Sequence, residues 1–190
     1  MEKILIREKI LRKRESLGLD FQKSMSQVIC SLIIKSFFYL ESNSLMLYSS
    51  IRGEVDLKAL YTDALKRHKK VFLPTVSLKS IKINPIQCFV DTIWEKGPYG
   101  IFEPLCKPNK IKQKDFDLVF VPGVAFDRNF NRIGFGKGFY DKFLKKLPKT
   151  TLKIGVAFDI QIVENINSDP WDIKMDLLVT EKGFLCREES

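Results

Sequence analysis

The chain of 190 residues carries 32 Lys and Arg against 23 Asp and Glu, a formal net charge of +9, and is 45% hydrophobic, which fits one domain over 1–190 that buries roughly 70% of its unfolded surface and needs no disulfide or metal to fold. Cys30, Cys88, Cys106 and Cys186 stand far apart without a Cys-x-x-Cys pair, which argues against zinc and, with no signal peptide to read, for a reducing cytoplasm. The most apolar stretch, Val28 to Leu40, is broken by Ser31, Lys35 and Ser36, too short and too polar to span a membrane.

Residues 2–17 read as a basic amphipathic helix stopped by Gly18, and residues 20–39 as a second helix capped by Asp20. A strand Leu45 to Ser49, a helix from near Asp56 to Lys69 and a strand Val71 to Val76 follow. The segment Ser80 to Val90 holds a strand broken by Pro85, and Gly97 to Pro108 reads as loop. A strand Asp117 to Val121, a glycine-rich loop, a helix Phe139 to Leu147 and a strand Leu152 to Phe158 form a βαβ unit, and a last strand Leu177 to Thr180 closes the sheet. Strands alternating with helices predict a mainly parallel sheet covered on both sides.

The most informative segment runs Val121-Pro122-Gly123-Val124-Ala125-Phe126-Asp127 and then Arg132-Ile133-Gly134-Phe135-Gly136-Lys137-Gly138-Phe139-Tyr140-Asp141. If the second part is extended, Arg132, Gly134, Gly136, Gly138 and Tyr140 share one face, and the glycines let backbone N–H groups approach phosphate oxygens. A helix beginning near Gly138 adds its partial positive charge there. The familiar phosphate motifs do not fit: Gly138 follows Lys137 where a Walker loop needs Ser or Thr, and Phe139 stands where a dinucleotide fingerprint needs Gly or Ala. A purely structural strand-to-helix turn stays open on glycine spacing alone.

Pro-Gly-x-x-Phe-Asp, an Arg five residues on, and Gly-x-Gly-x-Gly-x-Tyr-Asp closely resemble the signature of the 5-formyltetrahydrofolate cyclo-ligases, also called methenyltetrahydrofolate synthetases. Lys3-Ile4-Leu5-Ile6-Arg7 resembles the family's nucleotide-binding Lys-x-x-x-Arg, and Ser49-Ser50-Ile51-Arg52-Gly53-Glu54-Val55 its folate-contacting strand and turn. Lys70 to Pro74, Tyr99 to Pro104 and Lys174-Met175-Asp176 fall in the expected order, so the similarity spans nearly the whole chain. Asn131 stands where glycine is usual and Phe139 where tyrosine is common; asparagine also enters the left-handed region, and phenylalanine keeps the ring.

The resemblance implies a three-layer, Rossmann-like α/β/α fold with a mainly parallel sheet, related to sugar-phosphate isomerases and CoA transferases. It implies ATP-dependent conversion of 5-formyltetrahydrofolate, polyglutamylated forms included, to 5,10-methenyltetrahydrofolate by a cytoplasmic monomer using ATP and Mg²⁺. ATP would be bound by Lys3, Ile4, Leu5, Ile6 and Arg7 together with Arg132, Ile133, Gly134, Phe135, Gly136, Lys137, Gly138, Phe139 and Tyr140. The folate would meet Ser49, Glu54 and Tyr99 as well as Phe135, Gly136, Lys137, Gly138 and Phe139. Asp141 and Asp176 would hold magnesium, Asp127 would either complete that shell or fix the Arg132 loop, and Arg132, Lys137 and Glu54 would carry the chemistry.

Each residue also has an ordinary reading. Lys3 and Arg7, four apart on a helix, leave one face about 6 Å apart and suit either a triphosphate or solvent. Arg132 is built to clamp a phosphate or to form a surface ion pair, Lys137 is a point charge, and Asp141 also complements a helix N-terminus. Asp176 suits a turn, Glu54 a helix start, and Tyr99 and Phe102 either stack on a pterin or pack a core. His68, inside a basic run at a helix end, reads as a surface residue. Two other functions remain open: a basic nucleic-acid-binding protein, although the cations are scattered and no recognition motif is present, and a catalytically silent nucleotide-binding relative.

Overall fold

The computed structural model of the protein describes residues 3–77, 82–97, 100, 102–105 and 116–187. Helices α1 (Lys3–Glu15), α2 (Leu19–Lys35) and α3 (Phe37–Glu41) precede strand β1 (Ser44–Met46), helix α4 (Lys58–Lys66) and strands β2 (Lys70–Ser77) and β3 (Lys82–Cys88). A small hairpin follows, β4 (Trp94–Lys96) with β5 (Phe102–Pro104). Then come β6 (Leu118–Pro122), β7 (Ala125–Asp127), β8 (Arg132–Ile133), helix α5 (Phe139–Leu144), β9 (Leu152–Val156), β10 (Ile162–Val163), β11 (Leu177–Thr180) and β12 (Gly183–Cys186).

Seven strands form the main sheet in the order β12-β11-β9-β6-β1-β2-β3. The inner five pair in parallel, and antiparallel β3 and β12 close the two edges. Strands buried on both faces read as near-continuous apolar runs, and the middles of β1, β6, β9 and β11 do so, with polar residues such as Ser44, Lys153 and Thr180 near the strand ends. Leu45, Leu118, Phe120, Ile154 and Val179 face α2 and α4 through Ile29, Ile33 and Leu60. Their neighbours Met46, Val119, Val121 and Leu178 face the other way, onto Phe143 and Leu144 of α5. The alternation thus produces the three layers, and each fully buried aliphatic side chain contributes roughly 1.5–3 kcal/mol.

The structure departs from the sequence expectation in six places. The expected helix over 20–39 breaks at Ser36, whose Oγ and N–H both donate to the Ile33 carbonyl (2.6 and 3.0 Å), so a local side-chain bond competes with the helix. Gly18 rather than Asp20 is the N-cap of α2, and Asp20 lies in its first turn. Pro85 does not break β3: it lies opposite Pro74 on an edge strand, where a missing donor is tolerated. The expected loop over 97–108 contains β5, and β11 does not close the sheet, because Gly183, at φ +125°, turns the chain back as β12. Finally, the glycine segment is extended only at Arg132–Ile133, since Gly136 and Gly138 take φ of +89° and +66° and curl it into a loop.

Candidate active site

Strand order reverses beside β1: the chain moves outward from β1 to β2 and β3, then returns to the other side of β1 with β6 and continues to β9 and β11. In an open parallel sheet the crevice beyond the carboxyl ends of the strands at such a reversal is free of crossing connections and receives ligands. A cavity of about 940 Å³ lies there, between Tyr48 and Ser49 after β1, Pro122 and Gly123 at the end of β6, and the loop Gly134 to Gly138.

The β6–β7 turn and the β7–β8 hairpin set the position of Arg132. Asp127, fully buried, accepts from the N–H groups of Asn129, Asn131 and Ile166 and from Asn131 Nδ2, at 2.8–3.0 Å. It is therefore the structural post of the hairpin and does not line the cavity, which removes it as a metal candidate. The Arg132 side chain is 5% exposed and reaches Asp141 Oδ1 with Nη2 at 2.7 Å and the Pro122 carbonyl with Nη1 at 3.4 Å. Its guanidinium also lies over the Tyr140 ring, 5.6 Å from the centroid. Gly123 is required beneath it: a Cβ there would stand 2.6 Å from Phe126 Cζ and 3.2 Å from Arg132 Cγ.

Glu54 forms the other wall. It is buried, and its carboxylate accepts the Ile51 N–H at 3.1 Å across a turn that uses positive φ at Arg52 and Gly53. Burial pushes its pKa up to about 7, against the opposing pull of Arg14 and of the Ile51 N–H. Burial, and then the charge of Glu54, also raise the phenols of Tyr48 and Tyr140 far above the ordinary value, so both stay neutral beside the cavity, the Tyr48 hydroxyl donating to the Val55 carbonyl at 2.9 Å. Ser49 lines the same cavity and donates to the Phe102 carbonyl at 3.2 Å.

Of the N-terminal pentapeptide only Lys3 and Arg7 line the cavity. Ile6 is core, packed with Ile10, Val124 and Ile133, while Ile4 and Leu5 are exposed and off the cavity wall. The helical phase is the reason, since positions 3 and 7 share a face that 4 and 5 do not. Arg7 Nε donates to the Gly134 carbonyl at 2.9 Å, and Lys3 Nζ sits between Asp169 (2.5 Å) and Asp172 (2.6 Å). Ile133 to Asp141 all border the cavity, whereas Tyr99 lies outside the described residues.

Asp176 is the expectation the geometry corrects. It sits at the start of β11, the end of the parallel strands remote from the cavity, where its carboxylate accepts the Lys153 N–H at 2.8 Å and pairs with Lys153 Nζ at 2.6 Å. Asp141 lines the cavity and Asp176 does not. The acidic residues of this region that do line the cavity are Asp169 and Asp172. Their signal was the Asp-x-x-Asp flanking Trp171, four residues ahead of Asp176. Also missed was Arg14, which lies seven residues beyond Arg7 and so on the same helical face. Among the described residues no three His, Cys, Asp or Glu gather around one point, and no helix is long and apolar enough to cross a membrane.

Residues 1–181 match the model of the 5-formyltetrahydrofolate cyclo-ligase family. A 5-formyltetrahydrofolate cyclo-ligase of Haemophilus influenzae is 31% identical over 92% of this chain and 95% of its own length, and one of Mycoplasma genitalium 33% identical over 94% and 98%. Among solved structures, a 5,10-methenyltetrahydrofolate synthetase of Aquifex aeolicus superposes with a TM-score of 0.86 at 36% identity, covering 100% of this chain and 96% of that one. One from Mycoplasma pneumoniae gives 0.78 at 26%, with 95% and 99% covered. A basic nucleic-acid-binding protein finds no support in these likenesses, and the fold agrees with them over nearly the whole length: the chain belongs to the 5-formyltetrahydrofolate cyclo-ligase family.

Proposed function

We propose that this chain converts 5-formyltetrahydrofolate to 5,10-methenyltetrahydrofolate at the expense of ATP, releasing ADP and phosphate. One observation carries the reading beyond family membership. A single cavity holds a cation-bearing glycine loop suited to phosphates and a buried carboxyl group that titrates near neutrality.

A formamide carbon is a poor electrophile, so its oxygen first attacks the γ-phosphorus of ATP and ADP leaves. Lys3, Arg7, Lys137 and Arg132 supply positive charge around the nucleotide phosphates, and Arg132 Nε, buried with no hydrogen-bond partner among the described residues, is a donor still to be satisfied. The backbone of Gly134 to Gly138 can approach the same oxygens because no side chain holds them off at the glycines. N10 of the same folate then attacks the activated carbon, phosphate departs with the former formyl oxygen, and the ring closes. N10 loses its proton in this step, and Glu54, with a pKa of about 7, is matched to receive it. Because nucleophile and electrophile belong to one molecule, holding the right rotamer between Ser49, Glu54 and Phe135 lowers the barrier further.

A magnesium ion fits the donor set: Asp141 and Asp172 bring hard carboxylate oxygens to the cavity wall, and magnesium takes one or two carboxylates with phosphates and water. Bound there, it would neutralise charge on the nucleotide phosphates. We propose further that the enzyme works as a monomer in the cytoplasm, the compartment that four widely spaced cysteines without a Cys-x-x-Cys pair suit. The test is spectroscopic. Purified protein should develop the near-ultraviolet absorbance of methenyltetrahydrofolate only with 5-formyltetrahydrofolate, ATP and Mg²⁺ together; no absorbance with all three present, or equal absorbance without ATP, refutes the proposal.

A further inference from the structure

Arg14 is fully buried near the end of α1, yet it does not line the cavity. Its guanidinium lies behind the wall and touches both halves of it. Nε donates to the Arg52 carbonyl at 3.1 Å, in the turn that carries Glu54, and Nη1 donates to the Gly123 carbonyl at 3.2 Å. The adjoining Pro122 carbonyl accepts from Arg132, so two arginines are anchored on consecutive peptide units of one turn. The guanidinium groups of Arg14 and Arg52 both lie near the Phe135 ring of the glycine loop, at 5.9 and 5.7 Å from its centroid.

Burying a guanidinium is costly, and this one is not even fully satisfied, since Nη2 has no hydrogen-bond partner among the described residues. Packing alone does not account for it, because an apolar side chain would fill the same space without the desolvation cost. What an apolar residue cannot do is fork to two carbonyls on different loops while presenting a charge to Glu54.

We infer that Arg14 is a positioning residue for the cyclo-ligase reaction, fastening the turn that carries Glu54 to the turn that carries Arg132 so that the two halves of the cavity keep one geometry. The inference rests on the proposed activity. The charged side chain acting on Glu54 is Arg14 from α1, while the neutral phenols of Tyr48 after β1 and Tyr140 from α5 feel the charge of Glu54, and Arg52 in the same turn acts on Arg14. Of these, Arg14 pulls Glu54 toward its ionised form.

Three variants separate this role from a structural one: Arg14→Gln, Arg14→Lys and, as control, Arg12→Gln on the exposed side of the same helix. Arg14→Gln should move the acid limb of kcat/KM for 5-formyltetrahydrofolate upward by about one pH unit. Arg14→Lys keeps a cation but cannot fork to both carbonyls, so it should leave the limb in place and lower kcat/KM by about tenfold or more, while Arg12→Gln changes neither. An unmoved limb in a folded Arg14→Gln protein overturns the inference. If that variant does not fold, wild-type kcat/KM in Arg14→Lys overturns it instead. A wild-type protein without turnover would refute the activity itself, a result distinct from both.

Discussion

Glu54 holds a charge where the fold resists one. Its folded pKa of about 7 lies above the ordinary carboxyl value of 4.5, so between those pH values the folded protein binds the extra proton. Stability linked to this group is fully present below about pH 4.5 and is lost as pH rises through about 7. Catalysis needs the opposite state, the free carboxylate. We therefore expect kcat/KM to fall on the acid side with a midpoint near 7, and Glu54→Gln to lower kcat by about 10²–10⁴. The same variant should be more stable than the wild type at pH 8, by on the order of 1–3 kcal/mol in denaturant melts. A variant that is no more stable at pH 8 would show that burial does not strain this group. The two acidic candidates near the C-terminus divide as cleanly. Asp172→Asn should raise the Mg²⁺ concentration needed for half-maximal rate several-fold, while Asp176→Asn, remote from the cavity, should leave it unchanged; the reverse pattern would restore Asp176 as the ligand.

At the level of elements, the segment from β6 to α5 carries the site. Its glycines are not interchangeable: Gly136 and Gly138 need positive φ, whereas Gly123 needs space. Gly123→Ala puts a methyl group against Phe126 and the Arg132 stem, a forced shift expected to cost about 1–3 kcal/mol of stability. Because Arg132 must move with it, kcat should fall more than the melting temperature suggests; equal, small losses in both would mean that the turn relaxes without disturbing the arginine. This segment was legible because its glycines, Arg132 and Asp141 lie close in sequence. The strands β7 and β8 inside it were not, since two or three residues cannot display a period. For the same reason β5, with its exposed Phe102, read as loop, and β4, with its exposed Trp94, read as no element. The break at Ser36 escaped notice because the apolar run continues through it and only a side-chain hydrogen bond ends the helix.

For the whole molecule, strands alternating with helices along the sequence were enough to predict a covered, mainly parallel sheet. Strand order was not readable, because which strand neighbours β1 is settled by long-range pairing, and the switch point that creates the cavity follows from that order. The net charge of +9 acquires a meaning in this frame, as both proposed ligands are polyanions that a basic field draws inward. kcat/KM for either substrate should therefore decline as ionic strength rises from about 0.05 to 0.5 M while kcat changes little. A salt-independent kcat/KM would leave the charge without a role in capture.

The central claim is that the formyl oxygen is phosphorylated before the ring closes. 5-Formyltetrahydrofolate labelled with ¹⁸O in the formyl group, turned over with unlabelled ATP in unlabelled water, should yield inorganic phosphate carrying one ¹⁸O per methenyltetrahydrofolate formed. Unlabelled phosphate, with the isotope recovered in water or formate, would contradict the mechanism derived from this cavity.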